Sequence, residues 1–412
     1  MVTCRRAVRG GLGLALLLAG TAVPASADNT VTHFAAARYS AATAGYLTNA
    51  VEDFEAANPG LDIEVEVLER ERLRGTLQAG FEAHDPSDLA VVDAGWLPEL
   101  VRDHRVQPLD AVMSGEFRSR FVAGLLQPGQ VGGKQYGLPF TVSAVALFTN
   151  KDLLARAGIA APPATWDALL ADSLLLKAAG IRAFGLPGRG ADAVVLWYCG
   201  LWARGGELLA RDGHAAFASP AGIAALAALR ALASDGATED APADHDAADV
   251  EAMFGRGEVA MVAGTPPLTE QLAREAPKLP YAVSVMPQGS QPATFATTDL
   301  AVVLSDSDDK PAAFRFLDYL FTRVPRLTFV KGERMLPTTL AVARDKFFTK
   351  NEELSAFTRQ LATTHFAPSV PGWDGAATAL ADAVHAVLAG QSAAEPALRA
   401  AAARADAAMA AK

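Results

Sequence analysis

Leu61, Ile63, Val65 and Val67 alternate with Asp62, Glu64 and Glu66. A two-residue period puts apolar side chains on one face and charged ones on the other, so 61–67 is expected to be a half-wet strand. Just upstream, Leu47, Val51 and Phe54 recur at i, i+4 and i+7, the spacing of one helix face, and Asn58-Pro59-Gly60 ends that helix. Residues 31–36 read as a short strand, and 89–92 are a short apolar run of strand length closing on Asp93. Strand, helix and strand in this order imply right-handed crossovers and a parallel sheet.

The alternation continues downstream. Ser219-Pro220 reads as an N-cap with Pro in the first turn, and Gly236 as the stop of an Ala/Leu-rich helix. Strands are expected at 259–262, 281–286 and 300–304. Helices are expected at 311–321 and around Leu380, Val384, Val387 and Leu388. Ser392 with Glu395, followed by Pro396, matches a capping box for a last helix. The acidic stretch 235–249 is poor in large apolar residues and reads as a surface loop or linker. No tandem repeat is visible.

The N-terminus follows a different pattern. Arg5, Arg6 and Arg9 precede an apolar run from Gly10 to Val23, shorter than the roughly 18–20 residues a bilayer span needs. Ala25-Ser26-Ala27 then supplies the small-x-small pattern of a cleaved leader, so 1–27 is expected to be a signal peptide cut near Ala27. Thr21, not Cys, follows Leu18-Ala19-Gly20, so no lipid anchor is expected. Cys4 leaves with the leader, and the mature chain keeps Cys199 alone. The expected location is the periplasm.

Composition narrows the classes. The 412 residues carry 36 Lys+Arg against 46 Asp+Glu, a net charge of −10, and 51% are hydrophobic. That is a globular chain of two or three domains, and its acidity argues against nucleic acid as a partner. The seven histidines show no H-x-x-x-H spacing and there is no C-x-x-C pair. Asp244-His245-Asp246 reads as an acidic loop rather than a metal site. There is no G-x-x-x-x-G-K-[ST] phosphate loop, so neither metal nor cofactor is expected.

Six stretches in fixed order carry a family resemblance. They are Val51-Glu52-Asp53-Phe54-Glu55-Ala56-Ala57-Asn58-Pro59-Gly60; Asp88-Leu89-Ala90-Val91-Val92-Asp93; Tyr136-Gly137-Leu138-Pro139-Phe140 leading to Phe148-Thr149-Asn150-Lys151-Asp152-Leu153-Leu154; Pro163-Ala164-Thr165-Trp166-Asp167; Gly205-Gly206-Glu207-Leu208 with Phe217-Ala218-Ser219-Pro220; and Phe254-Gly255-Arg256-Gly257-Glu258-Val259-Ala260-Met261. Together the chain resembles the bacterial extracellular solute-binding proteins of the sugar-transporter, maltose-binding-like class. The resemblance implies an α/β, two-lobed periplasmic-binding-protein fold (type II), with hinged lobes and a central cleft. It implies lobe one at 28–140 plus 298–337 and lobe two at 141–297 plus 338–412. It also implies capture of a mono- or oligosaccharide, delivery to an inner-membrane ABC permease, and a monomer.

Sugar recognition needs flat apolar faces and polar groups for hydroxyls. Asp93 and Trp96 lie at a strand's carboxyl end, where parallel sheets bind ligands. Arg38 and Tyr39 follow the first strand, and Gly264 and Thr265 follow 259–262 in the same sense. Phe140 and Thr141 fall where the resembled family crosses between lobes, and Asp299 precedes a strand near another crossing. Tyr198 and Trp202 are the members of the cluster Trp197 to Trp202 assigned to the cleft, with Trp197 and Leu201 turned to the core. Trp373 sits in the loop-like Pro371-Gly372-Trp373-Asp374. Two other readings stay open: a binder of polyamine, peptide or another charged solute, and a secreted enzyme on the same scaffold using Cys199 as nucleophile.

Overall fold

The alternating run 61–67 forms a strand with Ile63 and Leu68 buried and Glu64 exposed. The helix Thr43–Ala57 buries Leu47, Val51 and Phe54 against the sheet. Each such side chain removed from water contributes about 1.5–3 kcal/mol. Gly60 ends the turn at φ 94°, a backbone conformation that a side chain would strain. This is a computed structural model, and it describes residues 31–84 and 87–411. The leader and its Ala25-Ser26-Ala27 pattern lie outside the described residues.

The strands are β1 (Val31–Ala37), β2 (Asp62–Leu68), β3 (Leu89–Asp93), β4 (Gln130–Val131), β5 (Lys134–Gln135), β6 (Gly137–Pro139), β7 (Ser143–Ala144), β8 (Ala146–Asn150), β9 (Arg182–Gly185), β10 (Val259–Gly264), β11 (Tyr281–Ser284), β12 (Thr294–Thr297), β13 (Asp299–Val303) and β14 (Thr364–His365). One sheet runs β2-β1-β3-β13-β6 and a second β11-β8-β10-β9. A small sheet, β14-β12-β7, lies on the stretches of chain that pass between them.

The expected parallel pairing holds for β1 with β2 and β3 and for β9 with β10. It fails elsewhere. β13 is antiparallel to β3 and β6, and β8 is antiparallel to β10 and β11. The cause is the route of the chain. It leaves the first sheet after β6, builds the second, and re-enters the first through β12 and β13. A strand that arrives from the other sheet, without a covering helix, has no crossover to make it parallel.

The consequence is functional. Residues at the ends of β1, β3 and β6 and the start of β13 collect on one edge of the first sheet. The ends of β9 and β10 and the start of β8 collect on one edge of the second. Both edges border the same run of cavities.

Local signals behaved unevenly. Ser219 caps the helix Pro220–Ser234 through the Gly222 amide, and Thr165 caps Trp166–Ala178 through the Ala168 amide. The box at Ser392 does not form. Ala393 is the N-cap of Ala394–Ala410, the Ser392 hydroxyl bonds the Ala393 carbonyl, and Glu395 instead pairs with Arg399 at 2.8 Å. Nor is 235–249 all loop. Asp246 and Asp249 make a reciprocal capping box for the helix Ala247–Gly255, and Glu239 is buried. Among the described residues, no helix is long and apolar enough to cross a membrane.

Candidate ligand cleft

Three adjoining cavities run between the two sheet edges. The first, about 210 Å³, is bordered by Arg70, Arg74, Asp93, Trp96 and Asp299. The middle one, about 390 Å³, shares Asp93, Gly95 and Asp374 with it and adds Tyr198, Phe295, Phe366 and Trp373. The third, about 260 Å³, shares Phe295, Thr297 and Asp192 with the middle one and adds Glu251, Gly264 and Thr265. The middle cavity alone is within the size range of small-molecule sites, about 300–1,000 Å³.

The wall from the first sheet is polar and braced. Arg70 makes a two-pronged contact with Asp299, Nη1 to Oδ1 at 3.1 Å and Nη2 to Oδ2 at 2.5 Å. Tyr39 donates its hydroxyl to the same carboxylate at 2.6 Å. Burial pulls the Arg70 guanidinium down, but the adjacent Asp299 carboxylate holds it above its ordinary value. Burial, and then the charge of Asp299, push the Tyr39 phenol well above its own. Arg74 stacks over Trp96 at 4.9 Å and pairs with Glu99 at 2.6 Å.

Asp93 projects beside this brace. Its Oδ1 accepts the Gly95 amide at 2.8 Å, closing the turn after β3. The carboxyl is open to solvent yet ringed by protein. Its pKa is raised first by desolvation and then by the neighbouring charges of Asp299 and Asp374.

The facing wall is aromatic. The rings of Tyr198 and Trp202 stack 5.2 Å apart, and Tyr198 lies 5.3 Å from Phe295. Behind them Trp202 stacks on His365 at 4.8 Å. Trp373 opens the helix Trp373–Leu388 directly after Gly372, which sits at φ 79°. A Cβ on Gly372 would lie 2.4 Å from the Ala408 carbonyl oxygen, so glycine there is what seats Trp373 against the last helix.

Of the residues singled out from sequence, Asp93, Trp96 and Asp299 border the first cavity, Tyr198 and Trp373 the middle one, and Gly264 and Thr265 the third. The others are placed elsewhere. Arg38 pairs with Glu69 at 2.7 Å outside the cavities. Tyr39 acts on Asp299 from behind. Phe140 is 1% exposed, edge-on to Phe34 and beside Phe329 in the core. The Thr141 hydroxyl accepts the Asp299 amide at 3.1 Å, fastening the crossing segments. Trp202 is 2% exposed and borders none of the three cavities.

The helical spacing separated two faces of Val195–Ala203, but both are covered. Eight of its nine residues are buried, because the helix runs between Pro220–Ser234 and β12. An i, i+4 pattern tells one face from the other only where one of them is wet. Asp192, Glu251, Phe295 and Phe366 were not foreseen. Asp192 sits in a helical turn, Glu251 in the helix Ala247–Gly255, Phe295 in β12 and Phe366 in a loop, and no local signal in the sequence marks them for the wall.

Two sheets joined by several crossings, with a cleft lined from both sides, define a two-lobed solute-binding protein. The chain belongs to the bacterial extracellular solute-binding protein family, whose model matches residues 40–324. A binding protein of Brucella abortus (strain 2308) is 35% identical over 398 residues, spanning 95% of this chain and 97% of that one. Two solved structures share the fold. The cyclic alpha-maltosyl-1,6-maltose binding protein of Arthrobacter globiformis has a TM-score of 0.83 at 22% identity, covering 92% of this chain and 99% of that one. The sugar-binding protein MalE of Xanthomonas citri has a TM-score of 0.84 at 21% identity, covering 92% and 98%.

Proposed function

We propose that this chain captures a mono- or oligosaccharide in the cleft, leaves it chemically unaltered, and presents it to an inner-membrane ABC permease. It works in the periplasm as a monomer, after loss of its leader near Ala27. The observation that carries this reading is the pairing of walls: rings of Tyr198, Phe295 and Trp373 on one side, Asp93 and the Arg70–Asp299 brace on the other. Rings stack on the C–H faces of a sugar while carboxylates and hydroxyls take its hydroxyls. A ligand touching both walls favours the closed arrangement of the lobes, with the crossings near 140, 298 and 337 as hinges. The solved structures of like fold include sugar binders by name, which supports a sugar here.

The setting of Cys199 gives the enzyme reading no support. Its thiol is fully buried, accepts the Phe295 amide at 3.4 Å, and is pushed up to about 11 by burial. A nucleophilic thiol needs access and a lowered pKa.

Isothermal titration of the mature protein with neutral saccharides tests the proposal. At least one saccharide is expected to bind saturably and be recovered unchanged. Tyr198→Ala is expected to weaken it several-fold, up to about tenfold, as loss of a stacking face worth about 0.5–1.5 kcal/mol would. Binding untouched in both Tyr198→Ala and Trp373→Ala contradicts the assignment of the wall.

A further inference from the structure

The helix Arg323–Gly332 ends in a turn that glycine usually closes. The Met335 amide donates to the Val330 carbonyl and the Arg334 amide to the Lys331 carbonyl, the paired bonds of a left-handed helix stop. The residue in the left-handed position is Arg334, at φ 49°, where a Cβ is strained. Its neighbours pin it to the first lobe. Glu333 accepts the hydroxyl of the buried Thr43 at 2.7 Å, and Gly332 lies against the Tyr46 ring. Both partners belong to the helix Thr43–Ala57 on the first sheet.

The Arg334 side chain reaches the other way. Its Nε lies 2.6 Å from Oε1 of Glu270, in the helix Pro266–Glu275. That helix follows β10 of the second sheet and begins directly after Thr265, on the third cavity. Two successive residues, Glu333 and Arg334, therefore hold to elements of opposite lobes. They do so just before Pro337, where the chain makes its third crossing, and the Leu336 amide donates to the Val142 carbonyl of the first crossing at 3.3 Å.

We propose that the Arg334–Glu270 pair is a latch across the hinge. It favours the arrangement of the lobes seen in this structure and so sets how readily the cleft changes its opening on capture. The inference rests on the reading above that the lobes move when a ligand is taken, and not on the ligand's being a sugar. The strained backbone at Arg334 is offset by a bond that glycine, the unstrained residue, cannot make. Both side chains are 44% exposed, so the pair is weak and screened by salt. Weakness suits the role. A bond that shifts a population a few-fold biases an equilibrium that a ligand still overrides.

Double electron–electron resonance between two spin labels tests this in the mature protein without ligand. Labels at Glu52→Cys and Lys177→Cys, exposed positions on helices of different lobes, report the distance between the lobes, and the fully buried Cys199 stays unlabelled. Glu270→Gln and Arg334→Gln are each expected to move the population about two- to fivefold from the parent's main distance to another. The double variant is expected to move it no further than either single one. Raised salt is expected to produce the same shift in the parent and none in the double variant. Melting of each variant checks its fold. One distribution shared by the parent and all variants overturns the inference. So does a shift in only one single variant, or shifts that add in the double, because the two side chains would then act apart. Each of these results leaves the saccharide reading, which titration tests, where it stands.

Discussion

Glu239 shows what one buried carboxyl costs. It is 4% exposed, receives only the Leu186 amide, and is pushed up to about 7 by burial. Its proton is held more tightly in the folded chain than in the unfolded one, where the pKa is about 4.3. The stability it contributes is therefore full at pH 4 and is lost as pH rises to about 7. Glu239→Gln should remove this slope. Melting of both proteins from pH 4.5 to 7.5 should show the variant gaining on the parent by on the order of 3 kcal/mol across the range. Parallel profiles would mean that the carboxyl is solvated in the folded chain. Glu239 holds Leu186, next to Pro187 on the third cavity, so the cost has a local return in a fixed wall.

At the scale of elements, the crossing segments carry the oddest interaction. Arg326, in the helix Arg323–Gly332, is fully buried without a carboxylate partner. Its guanidinium donates to the Phe140 carbonyl and lies 4.9 Å from the Phe140 ring and 5.0 Å from Phe329. Burial pulls it down to about 9, and Nε has no acceptor. Replacing a poorly compensated buried charge with an apolar side chain of similar length is neutral or stabilising by roughly 1–4 kcal/mol in precedent. Arg326→Met should accordingly raise the denaturation midpoint. A fall would show that the bond to the Phe140 carbonyl outweighs desolvation and that the hinge depends on it.

The same scale explains what was legible in the sequence. The alternation at 61–67, the cap at Ser219 and the helix face of Leu47, Val51 and Phe54 depend on neighbours in the chain, and all appear as read. So does the position of Asp93, because a strand's carboxyl end is a local property. Strand direction in β8 and β13 was not legible, since it depends on which lobe the chain arrives from. Phe140 and Trp202 show the other limit. Apolar density marks a residue for burial but does not distinguish a cleft wall from the layer behind it.

At the scale of the molecule, the two sheet edges supply opposite chemistries to one space, rings from one lobe and braced charge from the other. On the proposed reading a ligand needs both walls, so capture and lobe closure would belong to the same event. The most direct test of that claim is thermal melting of the mature protein against a broad panel of saccharides, neutral and amine-bearing, with amino acids and peptides as controls. A ligand at a hundredfold excess over its Kd stabilises the fold by about 2.7 kcal/mol. The account predicts a shift of that order with at least one saccharide, much reduced in Tyr198→Ala. Melting that is flat to every saccharide but shifted by amino acids or peptides would contradict it.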